Sequence, residues 1–350
     1  MPKEKTDILS LSLKELETFF ISNNEKSFRA KQVYEWLWKK AVRSFDEMTN
    51  LSKETRQLLK DNFVLTALEI CSVQKSTDRT VKIAFRLNDK LIIEGVLIPD
   101  RDRVTACISS QVGCNLNCKF CATAKLGLQR NLSTAEIFDQ VVLLRNYSLQ
   151  HFKQNLSNIV FMGMGEPLLN YENVSHAINL ITSEDGLNIS YQRITISTVG
   201  LPKMVRKLGD DKVKVNLAVS LHSANDKKRN EIIPVNIRNP LKELAFALKY
   251  YYSKTENRIT IEYILLKDFN DSLVDAKELA TFCKSFPCKI NIIEFNNVKN
   301  TEYFPTTKEK TTDFVDFLES KNMIVNVRRS RGKDIDAACG QLAGKLINNE

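Results

Sequence analysis

Apolar positions recur at helical spacing over about the first 60 residues. Leu13, Leu16, Phe19 and Phe20 form one set. Val33, Trp36, Leu37 and Val42 form a second, with SFRAKQ as a start signal before it. From about residue 64 to 100 the period shortens, and VKIAFRL and LIIEGVLIP read as β-rich runs separated by the turn-like NDK. The pattern predicts a small, mainly helical N-terminal domain that passes through a short strand pair into the rest of the chain.

Beyond that point strand and helix alternate. The strand candidates are TACISS (105–110), NIVFMG (158–163), RITIST (193–198), VNLAVSLH (215–222), ITIEYILL (259–266), KINIIEF (289–295) and MIVNVR (323–328). Between them lie helical stretches such as TAEIFDQVVLLRNY, NVSHAINLIT, PLKELAFALKYYY, SLVDAKELATFCKS and TKEKTTDFVDFLES. Strand then helix, repeated about six times, implies an α/β fold with a parallel sheet. Strands this short and apolar favour a closed or partly closed β/α barrel over a flat sheet, and periodicity alone leaves that choice open. In such barrels the chemistry sits at the C-terminal ends of the strands. The expected division is an accessory, RNA-binding domain over residues 1–95 and a β/α core over 96–350, whose C-terminal segment carries Cys339.

Composition narrows the class. A chain of 350 residues, 43% hydrophobic, can bury one large core and a small one. Its formal net charge of +9 favours a polyanionic partner, nucleic acid above all, against the plainer reading of a merely basic surface. The start, MPKEKTDILSLSLKELETFF, has no apolar signal region. No run of about 18 apolar residues occurs, so no membrane helix is expected and the cytoplasm is the expected compartment. There thiols stay reduced, and eight cysteines point to metal or redox chemistry before disulfides. The three histidines, His151, His176 and His222, are too far apart in sequence for a His-built zinc knuckle.

The clearest chemistry lies in GCNLNCKFCATAKLG, where Cys114, Cys118 and Cys121 have C-x3-C-x2-C spacing directly after a strand. Three thiolates can hold three irons of a [4Fe–4S] cubane and leave the fourth open to a chelating molecule, such as the amino and carboxylate groups of S-adenosylmethionine. The competing reading is a structural zinc site, which needs a second ligand pair that does not appear; Cys283 and Cys288 are poorly spaced for one. Phe120 would shield the cluster or pack near the adenine. In FMGMGEP, Gly163 and Gly165 allow close backbone approach, and Glu166 can accept from an ammonium group. Ser197 and the Ser220, Leu221, His222 run end strands and can contact ribose or carboxylate, although each alone also reads as a cap or turn. Cys107, Cys339 and Glu94 are not selected by sequence physics alone. Arg328, Arg329, Arg331 and Lys333, just before Cys339, would grip phosphates or form a solvated face.

These segments carry a resemblance. CISSQVGCNLNCKFCATAKLGLQRNL, FMGMGEPLLN, ITISTVG, SLHSANDKKRNEIIPVN, ITIEYILLKDFND, CKINIIEFN and RGKDIDAACGQLAG resemble the RlmN family of dual-specificity radical-SAM RNA methyltransferases. The resemblance implies a partial (β/α)6 radical-SAM barrel with a helical accessory domain. It implies methylation of carbon 2 of an adenine in 23S rRNA and of one beside a tRNA anticodon. A flavodoxin-like electron donor and a monomeric enzyme are implied with it. By position, Cys339 would be the methylated cysteine, Cys107 the thiol that releases product through a transient disulfide, and Glu94 the proton acceptor. Gly165, Glu166, Ser197, Ser220, Leu221, His222 and Asn296 would contact S-adenosylmethionine. The thiol of Cys107 must ionise to attack, and electropositive surroundings are expected to favour that. The rival readings are a Cfr-type relative acting on carbon 8 of adenine and a non-catalytic iron–sulfur RNA-binding protein. PLLN after GMGE, and GVLIPDRDRVTAC before the cluster, favour the carbon-2 family.

Overall fold

The computed structural model describes residues 5–298 and 301–344. Near the N-terminus, β1 (Thr6–Asp7) pairs in parallel with β2 (Phe63–Val64), and α1 (Leu13–Ser22), α2 (Phe28–Trp38) and α3 (Lys53–Asn62) lie between them. Helix α1 starts at a capping box: Ser12 N–H donates to Glu15 Oε2 at 2.7 Å, and Glu15 N–H donates to Ser12 Oγ at 3.3 Å. Leu16, Phe20, Val33 and Leu37 bury the predicted apolar face, and Ile8 joins them.

This helical unit docks on α4 (Thr134–Phe152). Trp38 meets Phe138 edge to face, with ring centroids 5.1 Å apart. Arg43 pairs with Asp139 at 2.8 Å, and the second oxygen of Asp139 accepts Leu68 N–H at 2.7 Å. Burial pushes the Asp139 carboxyl above its ordinary range, against the pull of Arg43. The carboxylate is thus held in a partly dry site by two donors.

Strands β3 (Glu69–Lys75), β4 (Val81–Arg86), β5 (Ile92–Asp100) and β6 (Arg103–Cys107) form an antiparallel meander. The expected strand pair is therefore part of a larger set. Strand β3 was not legible because it is an edge strand with a largely open surface and little apolar alternation. Strand β5 runs straight through residue 95, so the sheet has no break there. A clip of β7 (Gln111–Cys114) with β8 (Gly127–Asn131) follows.

From β6 onward every pairing in the main sheet is parallel, through β9 (Asn158–Phe161), β10 (Ile194–Thr198), β11 (Asn216–Ser220), β12 (Ile259–Leu265), β13 (Cys288–Glu294) and β14 (Val325–Arg328). These seven parallel strands are the seven marked in the sequence. The order β14-β13-β12-β11-β10-β9-β6-β5-β4-β3 is linear, and its ends do not pair, so the barrel is partial. Helices α5 (Tyr171–Thr182), α6 (Pro202–Asp210), α7 (Asp226–Ile232), α8 (Leu241–Thr255), α9 (Leu273–Cys283) and α10 (Lys308–Ser320) complete the crossovers. The sequence pattern did not mark α6 and α7, which are short and rich in charge.

The docking of the N-terminal unit gives a direct test. Arg43→Ala leaves the part-buried Asp139 without its cation and should lower unfolding free energy by about 1–3 kcal/mol in urea titrations. An effect below about 0.5 kcal/mol would show that the pair contributes no more than an exposed one.

Candidate active site

The C-terminal ends of the parallel strands surround one cavity of about 150 Å³. Each wall comes from a different strand end, as the fold requires. Cys114, Cys118 and Cys121 form one side. Gly165 and Glu166 follow β9, Ser197 ends β10, Ser220 and His222 end β11, and Arg328 ends β14, with Glu262 from within β12. Cys339 and Gly340 complete the lining.

The cysteine loop is held by the β7–β8 clip, which pairs Cys114 with Gly127. That pairing brings the backbones so close that Gly113, at φ +77°, has no room for a side chain: a Cβ there would stand 1.8 Å from the Gly127 carbonyl oxygen. Burial pushes the Cys114 thiol up to about 11, and Cys121 and Glu166 add to it. Burial also pushes Cys118 far above its ordinary value, with Cys121, Cys114 and Glu166 adding and Arg229 opposing. Thiols in this state ionise only when a cation takes the proton's place, which is what iron does. Among the described residues no three His, Cys, Asp or Glu side chains converge on a point that one ion would fill. The thiolates of a cubane each bind a different iron and need not converge so tightly. The donor set therefore fits a [4Fe–4S] cluster.

Glu166 is buried, and its carboxylate accepts Leu168 N–H at 3.1 Å and Val199 N–H at 2.9 Å. Burial still pushes it up, to about 7. Gly165, at φ +97°, packs against Gln111 where a Cβ would stand 2.5 Å from the Gln111 Cβ. His222 is buried in the left-handed region at φ +57°. Tertiary contacts hold it there: Leu221 N–H donates to the Glu262 carbonyl at 3.0 Å, and Asn270 Nδ2 donates to the His222 carbonyl at 2.6 Å. Burial, with help from Arg229, pushes the imidazole down to about 3, so it is neutral. Its Nδ1 accepts Ile264 N–H at 3.1 Å, which leaves Nε2 as the protonated nitrogen. Phe120 stacks edge to face on this ring, with centroids 4.6 Å apart.

The other expected residues fall as follows. Leu221 is fully buried beneath the cavity and offers its carbonyl to Arg229 Nε at 3.0 Å. Asn296 touches the site through Cys339: its Nδ2 donates to the Cys339 carbonyl at 3.3 Å, and its own Oδ1 is buried without a partner. Glu94 lines a neighbouring cavity with Lys82, Lys125 and Asp336. Its Oε2 accepts Ala343 N–H at 2.7 Å and Gly344 N–H at 3.0 Å, and Lys82 lies 3.6 Å from Oε1.

Cys107 and Cys339, distant in sequence, lie within electrostatic reach of each other. Cys339 is open to the cavity while protein surrounds its other sides, so it is accessible and yet strongly desolvated. Burial pushes both thiols up, and Arg328 opposes the shift at both. The expectation that electropositive surroundings would ease Cys107 ionisation is corrected: desolvation on β6 outweighs the one nearby cation. The basic run is likewise less free than expected. Arg328 pairs with Glu262 at 3.4 Å, Arg331 with Asp100 at 3.5 Å and Lys333 with Glu294 at 2.7 Å. All described cysteines are free thiols.

Two site residues escaped the sequence reading. Arg229 is fully buried and ties Leu221, Val199 and Asn236 together, beside Cys118. In DKKRNE it looks like any solvated helix charge. Glu262 had a signal: a single acid inside the apolar run ITIEYILL.

A partial β/α barrel whose strand ends carry this three-cysteine loop defines a radical SAM enzyme. Residues 108–280 match the Radical SAM superfamily model, and residues 6–65 match the model described as Ribosomal RNA large subunit methyltransferase N-terminal domain. The chain is 56% identical over 341 residues, 97% of each chain, to the Christiangramia forsetii protein named "Probable dual-specificity RNA methyltransferase RlmN". It is 45% identical to the Geotalea uraniireducens protein named "Dual-specificity RNA methyltransferase RlmN", covering 98% of each. A crystal structure of a radical SAM methyltransferase from Sphaerobacter thermophilus superposes with a TM-score of 0.91 at 37% identity, covering 97% of this chain and all of that one. The chain belongs to the RlmN family. Its cofactors are a [4Fe–4S] cluster and S-adenosylmethionine.

The clip around the cluster loop is testable. Gly113→Ala should lower the iron retained after anaerobic reconstitution severalfold, because the β7–β8 register cannot close. Far-UV circular dichroism should stay that of the wild type. Full iron loading in this variant would show that the clip does not govern the cysteine geometry.

Proposed function

We propose that the protein methylates carbon 2 of adenine in 23S rRNA and in tRNA through a methylated Cys339. The observation that carries this reading is the meeting of Cys339 and the three-cysteine loop around one cavity, with Cys107 buried on β6 within electrostatic reach of Cys339. Cys114, Cys118 and Cys121 would hold the cluster, with Gly165, Glu166, Ser197, Ser220, His222 and Asn296 around S-adenosylmethionine. When bound, the cluster supplies the electron that cleaves S-adenosylmethionine reductively.

Carbon 2 of adenine is electron-poor, so a methyl cation cannot be placed there, whereas a carbon radical can add. Cys339 solves delivery. Its thiolate takes a methyl group by displacement, forming a sulfur–carbon bond as the sulfonium bond of one S-adenosylmethionine breaks. A 5′-deoxyadenosyl radical from a second S-adenosylmethionine would take a hydrogen atom from that methyl group and leave as 5′-deoxyadenosine; the methylene radical would add to carbon 2, and loss of the carbon 2 proton and of one electron, back to the cluster, would leave the carbon joined to adenine and still to the Cys339 sulfur. Cys107 solves release: its thiolate attacks the Cys339 sulfur, a disulfide forms, and the sulfur–carbon bond breaks with its electron pair passing to the carbon as an enamine of the adenine ring, which takes a proton to become the methyl group. Glu94 is assigned the proton lost from carbon 2. In the described state Ala343 and Gly344 N–H engage only its Oε2, and Oε1, 3.6 Å from Lys82, is the oxygen left to accept it. Because both thiols are raised by burial, Arg328 is the group that supports their ionised forms.

The target base must leave its stack to reach the cavity. The net charge of +9 suits RNA. Arg329, with no carboxylate partner among the described residues, is available to phosphate. No helix among the described residues is long and apolar enough to cross a membrane. A monomer in the cytoplasm, reduced by a flavodoxin-like donor, completes the reading.

Mass spectrometry of nucleosides from 23S rRNA and tRNA, after anaerobic incubation with reconstituted enzyme, S-adenosylmethionine and reductant, tests the activity. 2-Methyladenosine is the expected product, and 8-methyladenosine would reassign the enzyme to carbon 8. Cys339→Ala should abolish methyl transfer with the cluster retained. Cys107→Ala should accumulate a covalent protein–RNA adduct, and free methylated RNA at wild-type yield from that variant would refute the release step.

A further inference from the structure

The cavity beside Glu94 is lined by a buried cation whose donors are underused. Lys82 lies on β4 with its side chain 8% exposed. Lysine is seldom buried so far, and its ammonium carries three N–H donors. Lys82 Nζ donates to the Asp336 carbonyl at 3.4 Å and lies 3.6 Å from Glu94 Oε1, beyond hydrogen-bond length. Both contacts are long, so a closer acceptor would be gained from a bound molecule. Lys82 and Glu94 together line a cavity of about 340 Å³. It adjoins the cluster cavity across one wall of backbone: Cys121, Thr123 and Gly340 line the first, and Ala122 and Gln341 the second.

Strand register sets which face the pair shares. Lys82 pairs with Val96 across β4 and β5, and Val96 pairs with Cys107 across β5 and β6. Glu94 stands two residues before Val96. Residues opposite one another, and residues two apart on a strand, project to the same side of a sheet. Lys82, Glu94 and Cys107 therefore share one face. Gly95 takes the other, where a Cβ would stand 3.4 Å from Leu144 of α4. The C-terminal segment lies over the first face: Asp336 meets Lys82, Ala343 meets Glu94, and Cys339 is within electrostatic reach of Cys107. A base joined to the Cys339 sulfur through a single carbon is held beside that face.

This placement selects what Lys82 does. Carbon 2 of adenine stands between two ring nitrogens, each with a lone pair in the ring plane. A carboxylate oxygen at the carbon 2 hydrogen and an ammonium at the next nitrogen meet adjacent atoms on one edge of the ring. Glu94 Oε1 and Lys82 Nζ, 3.6 Å apart, suit that edge. When a methylene radical adds to carbon 2, the unpaired electron passes to the ring nitrogens, and a cation fixed beside one of them stabilises that change. We propose that the Lys82 ammonium donates a hydrogen bond to a ring nitrogen beside carbon 2 of the target adenine, activating the base for addition while Glu94 takes the carbon 2 proton. Lys82 keeps its own proton, so no other proton or electron transfer changes. The inference rests on the carbon 2 methylation reading and on the role of Glu94 in it.

Atomic substitution in the RNA tests it. The rate of covalent protein–RNA adduct formation is followed on denaturing gels with anaerobically reconstituted holoenzyme in the Cys107→Ala background, with and without Lys82→Met. The substrates are tRNA carrying adenine, 1-deazaadenine or 3-deazaadenine at the target position. With adenine, K82M should slow adduct formation by about 10- to 100-fold, the range of a charge-assisted hydrogen bond. On the analogue that lacks the contacted nitrogen, the two proteins should differ by about threefold or less, and on the other analogue the full difference should persist. A Lys82 that only steadies Glu94 or the Asp336 carbonyl would slow every substrate by the same factor, which overturns the proposal. An unchanged rate with adenine overturns it as well. Should K82M fail to fold, Lys82→Arg takes its place, because displaced donors should give the same dependence on one nitrogen. Failure of the Cys107→Ala enzyme itself to form any adduct with the adenine substrate would instead remove the carbon 2 reading.

Discussion

Cys339 reaches the cavity on a segment whose only regular element is a single short turn, Lys333–Ile335, so its position depends on hydrogen bonds to other parts of the fold. Asp78 accepts Gly332 N–H at 2.9 Å, and Asp334 accepts Ser76 Oγ–H at 2.6 Å and Thr77 N–H at 3.0 Å. Burial would raise Asp78, but hydrogen bonds from Thr80, Gly332 and Ser76 outweigh it and bring its carboxyl to about 2. Further along, Ala122 N–H donates to the Gly340 carbonyl at 2.7 Å, Thr123 Oγ1 donates to the Leu342 carbonyl at 2.7 Å, and Glu94 takes the next two N–H groups. The segment is thereby stitched between the β3–β5 meander and the cysteine loop. Those bonds, with the Asn296 contact to the Cys339 carbonyl and the buried Ala337, Ala338 and Leu342, hold Cys339 near Cys107.

The meander has a purpose beyond widening the sheet. Its hairpin supplies Ser76, Thr77 and Asp78, and β5 supplies Glu94. Strand β6 then carries Cys107 and leads into the cluster loop. One side of the molecule therefore joins Cys107, the docking points for the segment that carries Cys339 and the three-cysteine loop. The parallel strands on the other side present the cavity-lining Ser197, Ser220, His222 and Glu262.

Desolvation dominates the electrostatics of this centre. Both reactive thiols, two of the three cluster thiols, Glu166 and Glu262 are all pushed toward their neutral forms by burial. Two buried or half-buried guanidinium groups oppose this: Arg229 beside Cys118 and Arg328 beside Cys107, Cys339 and Glu262. A site so poor in water strengthens each charge that a cofactor or ligand introduces. It also places the cost of ionisation on the binding step.

Much of the architecture was legible in the chain. Apolar runs of strand length separated by amphipathic helices set the parallel series, because a strand buried on both faces must be apolar throughout. The cysteine spacing likewise put three thiols on one short loop, where they cannot be far apart. Local pattern missed β3, α6 and α7, where an open edge or a high charge density hides the period. It could not foresee that Glu94 would turn to Ala343 and Gly344, that Arg229 would be buried, or that Glu262 would keep one oxygen unpaired. These outcomes depend on strand register and on where the C-terminal segment docks. The periodic strands and helices and the spacing of the three cysteines follow from residues close in sequence, so the sequence by itself determined them. The pairing of Cys107 with Cys339, and the ionisation state of every buried group, come from contacts between distant segments, which only the tertiary structure decided.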